Sequence, residues 1–194
     1  MSSQPRHVQV VVAYDFSPSA EQALQRAVEV ACRAPQHILH VIAAIDAKKG
    51  LPVIATHHVD FAYAEQIQTL VSEHVKRAFA GRPSVSEVQF FVHARIGKAA
   101  EEILRLCHET GADLVFIGTH GTTGLERLVL GSVSERVVRE ARCPVMVVRP
   151  KGYEDVDLLS VFRYDHEHKA YTPPHRYSYV DRTSVTRPND WPIS

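Results

Sequence analysis

Between residues 7 and 149 the chain alternates apolar, β-branched runs of strand length with segments whose apolar residues recur at helical spacing. No other feature of the sequence limits the fold so tightly. "HVQVVVAY" (7–14) reads as a strand buried on both faces, because it is almost continuously apolar rather than alternating. Ser17 then sits where a helix N-cap belongs, with Pro18 at the first helical position. Ala20, Leu24, Ala27, Val28 and Ala31 follow at helical spacing. "HILHVIAA" is the second strand, and residues 45–60 read as a polar loop broken by Gly50 and Pro52. The next helix carries Ile67, Leu70, Val71, Val75 and Phe79 on one face. "VSEVQFFVHA" (85–94) is the third strand, and "KAAEEILRLCHE" a helix that buries Ile103, Leu104 and Cys107. "DLVFIG" is the fourth strand; Val133, Val137, Val138 and Ala141 mark the last helix, and "PVMVV" is the fifth strand. Such alternation implies right-handed crossovers, hence an α/β sandwich on a five-stranded parallel sheet. In a flavodoxin-like strand order 3-2-1-4-5, the crevice for a ligand opens between strands one and four, at their carboxyl ends.

The loop after the fourth strand stands in that crevice, and it is the oddest part of the chain. "IGTHGTTGLERLVLGS" (117–132) holds Gly118, Gly121, Gly124 and Gly131, four of only nine glycines. Turn-making accounts for one or two of them. A second reading is that they clear side chains from a loop whose amides, with the helix N-terminus that follows, face an anion. Ser132 fits both views. "SVSE" (132–135) has the spacing of a capping box, and a serine there also suits a phosphate. The stretch lacks a G-x-x-x-x-G-K-[ST] loop and the G-x-G-x-x-G dinucleotide fingerprint.

What the stretch does fit is G-x2-G-x9-G-[ST], with Gly118, Gly121, Gly131 and Ser132 at the fixed positions. On this motif the chain resembles the universal stress proteins of the ATP-binding type. "VVVAYDFSPSAEQAL", "LHVI", "VHARIGKAAEEIL" and "ARCPVMVV" resemble other segments of that family in the same order, so that the likeness covers about residues 5–150. The resemblance implies an ATP site, with Mg2+, and carries roles position by position. Asp15 would hold the ribose hydroxyls, which a carboxylate suits because it only accepts hydrogen bonds. Ala13 and Tyr14 precede it at the nucleoside end, and Val41 would touch the adenine. Gly118, His120, Gly121, Gly131, Ser132 and Val133 would surround the phosphates. One departure is plain: Ala13 stands where nucleotide-binding members often have proline. The resemblance also implies a homodimer paired through the last strand, Pro144 to Val148, and regulatory work in a stress response. Slow ATP hydrolysis and a nucleotide-free interaction module stay open beside it; no residue pattern names a general base.

Composition narrows the alternatives. Twenty-two Lys and Arg balance 22 Asp and Glu, so the chain has no basic stripe for nucleic acid and no charge bias toward a membrane surface. No apolar run approaches the ~20 residues of a membrane span, and no secretory leader is read at the start, so a cytoplasmic setting is expected. Cys32, Cys107 and Cys143 are odd in number and unpaired by spacing, which suits small buried apolar residues in a reducing compartment. Adjacent His57 and His58, "DHEH" (165–168) and Lys98 are weaker candidates for a metal or a phosphate than for solvated surface. Residues 151–194 form a separate extension. Its prolines oppose regular structure, but Tyr153, Tyr164, Tyr171, Tyr177, Tyr179 and Trp191 are more aromatic than a solvated tail requires. We expect an extended arm that docks on the globular part, across the dimer rather than on its own subunit.

Overall fold

A computed structural model describes residues 7–33, 36–54, 56, 58–82, 88–119 and 130–149. The expected extension, 151–194, and the tip of the glycine stretch, including His120 and Gly121, lie outside the described residues, as do His57 and "DHEH".

Among the described residues, five strands and four helices alternate in the order expected: β1 (Val8–Ala13), α1 (Pro18–Ala31), β2 (His37–Ile45), α2 (Phe61–Phe79), β3 (Gln89–Ile96), α3 (Ala99–Thr110), β4 (Leu114–Gly118), α4 (Ser132–Glu140) and β5 (Val145–Val148). The strands form one parallel sheet in the order β3-β2-β1-β4-β5. A parallel sheet buries both faces, and two separate cores follow. Val10, Val12, Leu39, Val41 and Phe116 pack against α1 and α2 on one face. Val11, Ala13, Ile42, Val115 and Ile117 pack against α3 and α4 on the other. Odd and even positions of one strand thus feed different cores, which is why β1 is apolar without a break from Val10 to Ala13.

Local chemistry sets the helix ends. Ser17 Oγ accepts from the Ala20 amide (3.2 Å) and Pro18 opens α1, as the sequence predicts. Asp60 caps α2 by accepting from the Tyr63 amide (2.8 Å). Gly111 ends α3 in the left-handed conformation (φ 61°), where a Cβ is costly. The 45–60 segment is more ordered than a plain loop. Asp46 bridges Gly50 and Leu51 bridges Ile54, while the buried Tyr63 hydroxyl accepts from the Leu51 amide (2.8 Å) and donates to the Ile54 carbonyl (3.0 Å).

Several positions depart from expectation. In α3 it is Leu106 that is buried, while Leu104 lies half-covered, because the helix also turns Glu102 inward, where it pairs with Arg105 (3.1 Å). Leu70 is half-buried, and Val138 is exposed at the rim of the sandwich. Of the cysteines only Cys107 is fully buried; Cys32 and Cys143 are half-covered. Burial, reinforced by the neighbouring Cys143, pushes the Cys107 thiol up to about 12, so it stays protonated and inert.

On the α3/α4 face, strands β1, β2 and β3 carry a polar row. The Gln9 amide oxygen faces His40 Nε2 (2.8 Å), and His40 Nδ1 faces His93 Nε2 (3.0 Å). With Gln9 accepting from His40, His40 Nδ1 is left to accept from His93, so the row closes with both rings neutral. Phe91 stacks on His40 at 5.3 Å. Burial holds both histidines below their ordinary range, His93 down to about 4 with help from His40 and Arg95 and against Glu109. Below pH 6.5 the unfolded chain takes up a proton that the folded His93 refuses until about 4, so stability falls as pH drops through that window. The site is only half-buried, so His93 should supply on the order of 1–2 kcal/mol of this loss after solvent screening. Urea midpoints measured at several pH values should fall from pH 6.5 to 4 in the wild type, and less steeply in His93→Gln. Parallel slopes in the two proteins would exclude this origin.

Candidate functional site

At the carboxyl end of the sheet, β1 and β4 are neighbours whose following helices leave toward opposite faces. The chain turns from β1 into α1 on one side and from β4 toward α4 on the other. A cleft of about 310 Å³ opens between them. Ala13, Tyr14, Asp15, Gly118, Gly131, Ser132 and Val133 all line it, so both ends of the sequence-predicted site come together in one place.

The floor of the cleft is clamped at Gly118. A Cβ added there would stand 2.5 Å from Ser19 Oγ, 2.8 Å from the Ser19 carbonyl carbon and 2.9 Å from the Ala20 amide nitrogen. The first turn of α1 therefore rests on the backbone of β4, and only glycine permits it. From the other side the buried Ser134 Oγ donates to the Gly118 carbonyl (2.7 Å), tying α4 to the same residue. The Gly131 amide donates to the Thr119 carbonyl (2.9 Å), which closes the base of the glycine loop.

Gly131 is the N-cap residue of α4, at φ −61° and ψ 149°. Any residue adopts these angles, so its glycine answers no backbone strain. The capping box expected from "SVSE" does not form. The helix begins one residue earlier than that reading requires, so Ser132 lies inside the first turn, exposed, and no side chain caps the helix. Ser132, Val133 and Ser134 of the first turn, whose amides have no partner within the helix, line the cleft.

On the β1 side Asp15, which lines the cleft, accepts at Oδ1 from the Ser17 amide (3.0 Å), an Asx turn. The wall between is apolar: Ala13, Ile42, Ala44, Ala99 and Ile103. Val41 is not part of it. Its side chain is wholly buried in the α1/α2 core, one position out of phase with the cleft. Ile42 and Ala44 take that place, and α3 adds Ala99 and Ile103, which sequence reasoning missed. Tyr14 lines the cleft too, but its ring belongs to the α1/α2 core. Lys98 lies outside the lining and pairs with Glu101 on the surface (3.3 Å). Among the described residues no group of three or more metal-ligating side chains is present. None of the described helices is long and apolar enough to cross a membrane.

Residues 8–149 match the universal stress protein family. The chain belongs to that family. A universal stress protein of Methanocaldococcus jannaschii is 34% identical over 135 residues, which cover 62% of this chain and 76% of that protein. Universal stress protein YxiE of Bacillus subtilis is 31% identical over 148 residues, 72% of this chain and 97% of that one. Among solved structures, the universal stress protein UspA of Lactobacillus plantarum superposes with a TM-score of 0.51 at 23% identity, over 75% of this chain and all (100%) of that one. A universal stress protein in complex with cAMP gives 0.53 at 22% identity, over 75% and 99%. One from Archaeoglobus fulgidus, in complex with dAMP, gives 0.50 at 21%, over 74% and 98%. These structures share the fold.

The Gly118 contact yields a test of the scaffold. Gly118→Ala should destabilise the fold by about 2–3 kcal/mol, because the methyl meets helix backbone that cannot swing aside. Chemical denaturation at constant m should show it as a lower midpoint; an unchanged midpoint would mean that α1 is free to retreat.

Proposed function

We propose that this universal stress protein binds an adenine nucleotide, ATP with Mg2+, in the cleft between β1 and β4, and that occupancy is its regulatory signal. One observation carries the reading: an apolar wall ends at one side in a carboxylate, Asp15, and at the other in the exposed Ser132 and the N-terminus of α4. That sequence of surfaces matches a base, a ribose and a phosphate chain. The apolar wall takes the faces of the base. Asp15 accepts from the ribose hydroxyls. Ser132, Val133 and their amides receive the phosphates, favoured by the positive end of the α4 dipole. The adenine nucleotides bound by two related structures support the same reading. Mg2+ would arrive on the phosphate oxygens and waters, as this ion commonly does, rather than on a cage of side chains. When bound, it neutralises phosphate charge.

The protein's own part is holding and orienting. Asp15 is the only carboxylate among the described cleft residues and it serves the ribose end, so the described side chains favour binding over turnover. A homodimer through β5 goes with this function. β5 is a sheet edge that exposes Met146 (44%), and α4 exposes Val138 (45%). Pairing would cover both the free ladder groups and these side chains. A cytoplasmic setting suits three cysteines that form no disulfide.

Titration calorimetry with ATP and Mg2+ should give a micromolar Kd, roughly −8 kcal/mol. Asp15→Ala should weaken ATP while leaving inorganic triphosphate unchanged, and Gly131→Val should weaken both by about tenfold. No heat and no thermal shift at millimolar ATP would end the proposal.

Sedimentation equilibrium should report a dimer that Met146→Lys shifts toward monomer. A wild-type monomer at tens of micromolar (roughly the range of a modest interface) would remove the β5 pairing.

A further inference from the structure

The loop that presents Asp15 is held in an unfavourable shape. Phe16, directly after it, has φ 66°, and among the described residues it is the sole non-glycine at positive φ. A bulky aromatic does not choose that region unaided. Its ring meets Tyr14 edge-on at 5.0 Å and His74 of α2 edge-on at 5.3 Å. Tyr14 in turn donates its hydroxyl proton to Glu21 Oε2 of α1 (2.7 Å), and the Tyr14 hydroxyl oxygen lies 2.7 Å from His74 Nδ1. His74 Nδ1 is also 3.3 Å from Glu21 Oε2. The single Tyr14 proton goes to the carboxylate, so Nδ1 carries a proton and donates to the Tyr14 oxygen. Burial opposes the charge on Glu21, but hydrogen bonds from Tyr14, Gln25 and His74 outweigh it and hold its carboxyl below the usual range. Burial and Glu21 together push the Tyr14 hydroxyl well above its ordinary value, so it stays a donor. Residues 14 and 16 are thus both pinned from α2, and Asp15 between them has its remaining freedom taken by the Ser17 amide.

We propose that His74 is a positioning residue for the nucleotide site, fixing the Tyr14–Phe16 backbone so that the Asp15 carboxylate faces the ribose. It reaches the ligand only through Tyr14 and Phe16, from the face of the sheet opposite the cleft's apolar wall. The inference rests on the nucleotide reading given above. It adds a residue that lies outside the cleft lining and outside every motif of the sequence.

Three measurements on the full-length chain test it. His74→Ala removes both the ring and the donor. It should weaken ATP about fivefold to tenfold, the worth of one lost hydrogen bond, and leave inorganic triphosphate binding unchanged. In an Asp15→Ala background the same change should cost nothing further, since the group being positioned is gone. Hydrogen exchange of the Ser17 amide, which needs no ligand, should accelerate in His74→Ala. His74→Asn places an amide donor near the Nδ1 position, so it should restore part of the affinity and slow the exchange, and it serves where the alanine variant is too unstable to assay. Equal losses for ATP and triphosphate, an undiminished loss in the Asp15→Ala background, or unchanged Ser17 exchange would each overturn the proposal. The two failures separate cleanly. A wild type that binds no ATP removes the ribose role altogether, whereas a wild type that binds ATP with an indifferent His74 removes only this inference.

Discussion

The contact of α1 with Gly118 is the constraint on which the site depends. A parallel sheet of order β3-β2-β1-β4-β5 must send its connections to opposite faces on either side of the β1–β4 pair. What topology leaves open is how wide the resulting crevice is. Here the first turn of α1 is set down on β4 so closely that no Cβ fits between them. Ser134 holds α4 to the same carbonyl from the far side. Both helices of the switch point are therefore referenced to one residue, and the separation of Asp15 from the start of α4 follows from it.

Much of this was legible in the sequence because it rests on local rules. Ser17 and Pro18 fix a helix start wherever they occur before an apolar periodicity, and the parallel sheet follows from the alternation. What was illegible depended on face. β2 is apolar on both sides, since both sides are buried, so nothing in "HVIAA" distinguishes Val41, sunk in the α1/α2 core, from Ile42, which lines the cleft. The same difficulty misplaced Leu104 against Leu106, because inward-facing Glu102 disguises the apolar stripe of α3. The false capping box has another cause. Ser132 and Glu135 have the right spacing, but the box needs its serine just outside the helix, and Gly131 holds that position.

Glycine's part in the site differs from the usual expectation of conformational freedom. Neither Gly118 nor Gly131 has a positive φ. Gly118 is needed for the absence of a side chain, against a helix rather than against a ligand. The left-handed residue at this site is instead Phe16, on the other strand's loop. The fold has placed its permissive residue where backbones touch, and its left-handed residue beside a carboxylate that lines the cleft.

That strain is sustainable only if something nearby offsets it, and the magnitudes decide whether it is. A left-handed non-glycine residue costs roughly 1–2 kcal/mol. One hydrogen bond to a charged group contributes about 1.5–3 kcal/mol, and an edge-on aromatic pair about 0.5–1.5 kcal/mol. Around Phe16 there are two such ring contacts and, two residues away, a Tyr14 hydroxyl bonded to the Glu21 carboxylate. On these figures the contacts of the cluster are large enough to offset the strain. Without Tyr14, Glu21 and His74 the balance would reverse. Asp15 would then sample other orientations, and under the proposed nucleotide role the ligand would have to supply the ordering that the core of the α1/α2 face supplies in advance.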